Sequence, residues 1–280
     1  MGSQGEPIME RSSKFLPING HRTFVDVDGT GPEVMIMMHG LGGSSNYFQP
    51  LITPFASRYR IIRFDFKGLG RTGPDPERKR RITIPAYIED LRSIMDEERV
   101  DKAVLVGHSL GSVVAMHFAA AYPSRISALV AIGPGVSRAK IPVAKQFTLN
   151  MAKNARELGM PAVADGGVSS NVAPSSSDIV RAFVREVVGG QDGEGYAQVC
   201  EAACDESHVD PDYSQISCPA VLIAGDQDKI APLKQVEDIQ AKIPGSTLRV
   251  MHSGHQQVLE DTAGVVAAIE SILTQSRRAS

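Results

Sequence analysis

Cysteine is scarce in this chain of 280 residues, whose 3 cysteines are Cys200, Cys204 and Cys218. One thiol is left over in any pairing scheme. A chain this long also buries enough surface to fold without covalent staples, so a disulfide framework is excluded and a reduced compartment is expected. Excess charge of either sign is lacking as well. The 29 Lys and Arg against 32 Asp and Glu leave a formal net charge of -3, which gives no long-range pull toward nucleic acid or an anionic membrane. No apolar run approaches the roughly 18 residues that span a bilayer. Residues 1–13, MGSQGEPIMERSS, hold no apolar stretch of the kind a secretory signal needs, and Glu6 stands where a myristoylation signal carries Ser or Thr. The expectation is a cytoplasmic protein with no membrane and no nucleic-acid partner. A homodimer is left open.

What is present is ordinary globular composition, with 42% hydrophobic and 22% charged residues, which excludes a disordered chain. Asn19-Gly20 between residues 14–18 and 23–27 is a two-residue hairpin signal, so the chain is expected to open with two antiparallel strands. Six apolar runs follow, at 33–39, 60–66, 102–107, 128–132, 220–224 and 247–251. Such runs fit strands buried on both faces of a parallel sheet. Helical spacing lies between them at 45–57, 84–98, 110–122, 232–243 and 258–273, which makes the fold class α/β, with a mostly parallel, doubly wound sheet. Residues 137–212 break the alternation, offering only helical candidates at 143–158, 178–188 and 196–206. They are expected to form a helical cap inserted into a core made of 1–136 and 213–280.

Gly107-His108-Ser109-Leu110-Gly111 fits the nucleophile elbow G-x-S-x-G. That motif is weak alone and stronger here, because a strand pattern precedes it and a helix pattern follows. Serine needs a base, and the base needs an orienting acid. Asp226 and Asp228 follow the 220–224 run. Asp226 is placed to fix the turn by bonding backbone N–H groups, while Asp228 lies far enough along the loop to serve as the acid. His255 lies at a loop-to-helix junction and is assigned as the base, with His252 left at the strand end. An oxyanion requires preorganised donors, and the motif points to the backbone N–H groups of Leu110 and, in His39-Gly40-Leu41-Gly42-Gly43, of Leu41. His39 reads as a structural hydrogen-bonding residue.

Three other features have plainer explanations. Gly68-Leu69-Gly70-Arg71-Thr72-Gly73 satisfies G-x-G-x-x-G, but that fingerprint must open a helix, and Pro74-Asp75-Pro76 follows. Arg78-Lys79-Arg80-Arg81 reads as a solvated loop. Cys200 and Cys204, one helical turn apart, lack further ligands at metal spacing and read as buried small side chains; no metal and no cofactor are implied.

Together these residues resemble the α/β-hydrolase fold serine hydrolases. The motifs that carry the likeness are the His39 to Gly42 loop, Asp65-Phe66-Lys67-Gly68-Leu69-Gly70-Arg71-Thr72, the elbow, and Gly254-His255. Within that group the chain is most similar to 3-oxoadipate enol-lactonases, through His39 to Ser44, Gly159-Met160-Pro161-Ala162-Val163-Ala164-Asp165 and the stretch from Tyr196 to Ala202. The resemblance implies an acyl-enzyme mechanism without a cofactor, acting on a small-molecule lactone or ester. Those lactonases carry a Trp-Phe-Thr-Pro stretch where Ser170-Asn171-Val172-Ala173-Pro174 stands, and this chain has 0 Trp. Phe48 occupies the place of another frequent Trp and is expected to contact substrate. The same triad can also serve a carbon-carbon bond hydrolase or lyase, and a hydrolase-derived ligand receptor is a third reading. Dehalogenases and epoxide hydrolases of this fold need an aspartate where Ser109 stands.

Overall fold

The computed structural model describes residues 11–75 and 81–279. The readings made on residues 1–10 and on Arg78, Lys79 and Arg80 lie outside the described residues. An eight-stranded sheet runs in the order β1-β2-β4-β3-β5-β6-β7-β8. The strands are β1 Arg11–Ile18, β2 His21–Asp28, β3 Glu33–Met38, β4 Tyr59–Phe64, β5 Ala103–His108, β6 Ile126–Ile132, β7 Ala220–Gly225 and β8 Thr247–Met251. β1 pairs antiparallel with β2 and β2 with β4; every later pairing is parallel. The hairpin turn has Asn19 at φ 48° and Gly20 at φ 75°, the two positive values that match a two-residue turn to the twist of its strands.

The inner parallel strands bury both faces because successive side chains point to opposite sides, whereas β8, the run at 247–251, lies at the sheet edge and leaves Arg249 and Val250 exposed. In β3, Ile36 and Met38 join the core on one side, while Met35 and Met37 join the core on the other. The helices are α1 Ile52–Phe55, α2 Ile84–Glu97, α3 Leu110–Ala121, α4 Pro142–Glu157, α5 Met160–Asn171, α6 Asp178–Gly189, α7 Gly193–Ala203, α8 Leu233–Gln240, α9 Gln257–Glu260 and α10 Thr262–Ala279. α4 to α7 all lie between β6 and β7. No helix among the described residues is long and apolar enough to cross a membrane.

Three departures from the sequence pattern have local causes. The helix expected over 45–57 is a 3-10 segment, Ser45–Leu51, containing Pro50 and followed by the short α1. The one expected over 258–273 breaks at Asp261, which accepts the Gly264 N–H at 2.9 Å and so serves the start of α10 instead. α5 was not expected at all. Its sequence carries Gly166 and Gly167, and it is held by packing of Met160, Val163 and Ala164 rather than by propensity.

Candidate active site

β5 delivers the serine. The strand ends at His108 and α3 starts at Leu110, so Ser109 turns the chain alone, at φ 52° and ψ -112°. A non-glycine residue held there costs on the order of 1–3 kcal/mol, which its surroundings must offset. Ser109 N–H donates to Ile132 O at 2.8 Å and Gly111 N–H to His39 O at 3.1 Å, tying the turn to β6 and to the loop after β3. The flanking glycines are required by space. A Cβ on Gly107 would stand 2.4 Å from Gly111 O, and one on Gly111 would stand 2.0 Å from Met38 O.

The loops after β7 and β8 carry the other two side chains. His255 Nε2 lies 3.0 Å from Ser109 Oγ, and His255 Nδ1 lies 2.7 Å from Asp228 Oδ2. Asp228 Oδ1 accepts the backbone N–H groups of Ile230 and Ala231, both at 2.8 Å, and Oδ2 also accepts Gln257 Nε2 at 3.1 Å. Burial alone would push the Asp228 carboxyl up. The neighbouring His255 ring and the Ile230 and Ala231 N–H groups outweigh it and hold the carboxyl below its usual value. An ionised carboxylate only accepts, so Nδ1 of His255 bears the hydrogen and Nε2 offers its lone pair to the Ser109 hydroxyl.

Asp226 and His252 stand outside this constellation. They pair with each other at 2.8 Å on the surface, and Asp226 also accepts the Ser253 N–H at 3.2 Å. His39 is buried between two backbone groups, with Nε2 accepting the Phe66 N–H at 3.1 Å and Nδ1 donating to Gly40 O at 2.8 Å. The loop that follows it is anchored by Asp65, which accepts Ser45 N–H at 2.6 Å and Arg71 N–H at 2.8 Å. Gly68 to Gly73 closes on itself through Gly68 N–H to Gly73 O at 2.7 Å and opens no helix among the described residues. Arg81 bonds Asp205 at 2.7 Å. Burial pushes the Cys200 thiol up to about 12, which leaves it unreactive.

Leu41 and Leu110 both border the cavity beside Ser109. Leu110 opens α3, so its N–H is among the first helical donors, which have no partner within the helix. The cavity encloses about 260 Å³ and its wall is mostly apolar. Phe48 is fully buried in the core that also holds Tyr47, Leu51 and Phe55 and is not among the residues lining the cavity.

Sequence reasoning missed four residues. His108, within the elbow motif itself, stacks on Tyr47 at 4.3 Å and donates Nε2–H to His255 O at 2.7 Å. Burial lowers its pKa to about 3, so it is a neutral support. Gln257 follows His255 by two residues and completes the shell of Asp228. Arg138 and His208, both within the stretch between β6 and β7, line the cavity. His255 N–H donates to Asn171 O at 2.8 Å, so that stretch also bonds directly to the histidine loop.

Comparison with known proteins gives the family and the fold. A family model described as alpha/beta hydrolase fold matches residues 33–262. The 3-oxoadipate enol-lactonase 2 of Acinetobacter baylyi is 26% identical over 243 residues, covering 85% of this chain and 88% of that protein. The pyrrolizixenacetamide deacetylase of Xenorhabdus hominickii is 25% identical over 260 residues, covering 88% and 92%. In three dimensions the enol-lactonase from Burkholderia xenovorans LB400 matches with a TM-score of 0.84 at 24% identity, covering 93% of this chain and 99% of that one.

Proposed function

The chain belongs to the alpha/beta hydrolase fold family, and from that premise we propose that it is a serine hydrolase which opens a lactone or small carboxylic ester through an acyl-enzyme. The observation that carries this reading is the continuous chain of contacts from Asp228 through His255 to a strained Ser109 at the wall of a small apolar cavity. Ser109 Oγ attacks the carbonyl carbon as its proton passes to His255 Nε2. The carbonyl oxygen, now anionic, is received by the N–H groups of Leu41 and Leu110, a contribution worth about 2.7–4 kcal/mol per donor in enzymes of this chemistry. His255 returns the proton to the leaving alkoxide, which in a lactone stays attached to the acyl chain. Water then repeats the sequence and frees Ser109, while Asp228 keeps His255 in one tautomer.

Residues 137–212 act in this reading as a cap that closes the cavity and selects the substrate. Two of the relatives are named for ester-type and amide-type substrates, which supports acyl transfer as the shared chemistry. The test is acid release from enol-lactones, saturated lactones, short linear esters and vinylogous diketones, by wild type and Ser109→Ala. Multiple turnover of lactones or esters, lowered at least about 10³-fold in the variant, is expected. Cleavage of diketones alone would replace this reading with carbon-carbon hydrolysis, and equal rates in both proteins would overturn it.

A further inference from the structure

Gln191 lies in the turn between α6 and α7, directly before Asp192, whose Oδ1 accepts the Gly195 N–H at 2.7 Å and so starts α7. It belongs to the stretch 137–212, yet its side chain reaches two loops of the sheet. Oε1 accepts the Gly70 N–H at 2.8 Å, while Nε2 donates to Val187 O at 2.7 Å and to Gly43 O at 3.4 Å. The amide sits only one way round, since Gly70 offers a hydrogen whereas Val187 and Gly43 offer lone pairs. Both amide hydrogens and the carbonyl oxygen are engaged, in a residue that is 9% exposed.

Gly43 matters because of the turn it ends. Its N–H donates to Gly40 O at 3.0 Å, which closes a four-residue turn with Leu41 and Gly42 at the centre. Gly42 holds φ 73°, the sign that the second central residue of a type II turn needs. The direction of the Leu41 N–H is therefore set by how this turn is held. Asp65 fixes the chain just beyond it by accepting the Ser45 N–H at 2.6 Å, and Gln191 grips it from the opposite side, through Gly43. A second contact from the same helices agrees. A Cβ on Gly42 would stand 3.0 Å from Tyr196 Cε2 and 3.6 Å from Val188 Cγ2, so α6 and α7 also press on the middle of the turn.

We infer that Gln191 is a positioning residue for the oxyanion: it ties α6 and α7 to the turn 40–43 and so aims the Leu41 N–H. This rests on the serine hydrolase reading for the role of Leu41, but the grip on the turn does not require Ser109. One oxyanion donor, Leu110, stands on α3 beside the serine; the other stands on a turn held by the stretch 137–212. The pair is complete only while those helices are seated on the sheet. A donor stabilises the oxyanion only if it is fixed where the charge develops, so loosening the turn costs rate rather than substrate binding.

The experiment compares wild type with Gln191→Leu, which removes all three bonds, and with Gln191→Glu, which keeps an acceptor for the Gly70 N–H but sets a carboxylate oxygen against Gly43 O. Arg185→Ala is the control, because it removes a surface ion pair with Asp165 between α6 and α5. Hydrogen-deuterium exchange of peptides spanning 40–45 reads the turn without catalysis. The kcat/KM ratio of 4-nitrophenyl butyrate to its thionoester reads the oxyanion donors, because a thiocarbonyl sulfur is larger than oxygen and accepts hydrogen bonds more weakly. Both Gln191 variants should exchange at least about 10-fold faster at 40–45. They should lose about 10- to 100-fold in kcat on the ester with KM within about threefold, and the ester-to-thionoester ratio should fall about 10-fold. Arg185→Ala should match wild type in every readout. Faster exchange in the variants of a protein that turns over no ester would retain the grip on the turn and overturn the serine reading. Unchanged exchange at 40–45 would overturn the grip and leave the serine reading standing. A Gln191 variant with an unaltered melting temperature that loses ester and thionoester in equal proportion would assign the residue a structural role and also overturn the inference.

Discussion

His108 donates its Nε2–H to the backbone carbonyl of His255 across 2.7 Å, with the two rings 4.9 Å apart. The residue before the serine thus holds the peptide that carries the proposed base. On its other side His255 donates its own N–H to Asn171 O at 2.8 Å. Removing one of two tethers should let the imidazole wander. His108→Ala is expected to lower kcat by about 10- to 100-fold with a smaller change in KM, the cost of sub-ångström misplacement of a reacting group. The rate at which an active-serine probe labels Ser109 separates this from general destabilisation, which would reduce the amount of active enzyme without slowing labelling of the remaining Ser109.

Acid should weaken the fold through the same side chain. His108 has a folded pKa of about 3 against an ordinary value of 6.5, so between those limits the unfolded chain binds more protons than the folded one. Its contribution is complete above pH 6.5 and is lost as pH falls toward 3, by up to about 1.4 kcal/mol for each unit crossed. His117, lowered to about 4 by burial, acts in the same direction. Urea midpoints measured from pH 7 down to pH 4 are expected to fall steadily. The curve should be shallower in His117→Gln, and midpoints that stay level on acidification would contradict the assignment.

Asp228→Asn should be far more damaging than Asp226→Asn. An amide at 228 no longer enforces a hydrogen on Nδ1 of His255, and in the serine triad template such a change costs on the order of 10³- to 10⁴-fold in kcat. Asp226 bonds His252, Gln227 and a backbone N–H at the surface, and its replacement should cost less than about threefold. The pair of variants, assayed side by side, tests which of two nearly adjacent acids serves the histidine.

Two glycine substitutions should move stability in opposite directions. Gly111→Ala drives a Cβ to 2.0 Å from a backbone oxygen of β3, with no flexible side chain to give way. A loss of about 3 kcal/mol or more is expected, visible as a melting temperature lowered by roughly 6–12 °C. Gly166→Ala in α5 meets nothing within 4 Å and reduces the freedom of the unfolded chain, which should raise stability by about 0.4–1 kcal/mol. Differential scanning calorimetry of both variants checks the signs.

The inner strands were legible because each is buried on two faces and so spells an apolar run, and 220–224 maps onto β7 within a residue; 247–251 maps onto β8, although that edge strand leaves Arg249 and Val250 exposed. Ser109, Asp228 and His255 were legible because each stands just beyond a strand, where this architecture opens to solvent. α5 was hidden since its glycines and serines mimic a loop and its helix depends on tertiary packing. Phe48 packs in the core beside Tyr47, and nearness in sequence to the His39 loop does not tell which side of the sheet a side chain enters. His108 carries no pattern at all, because it matters through a single hydrogen bond to a distant backbone.

The most direct test of the central claim is the intact mass of the protein after exposure to a fluorophosphonate probe, followed by peptide mapping. The account predicts one adduct per chain on Ser109, absent in Ser109→Ala and strongly slowed in His255→Ala. Labelling at another residue, or equal labelling in Ser109→Ala, would contradict it.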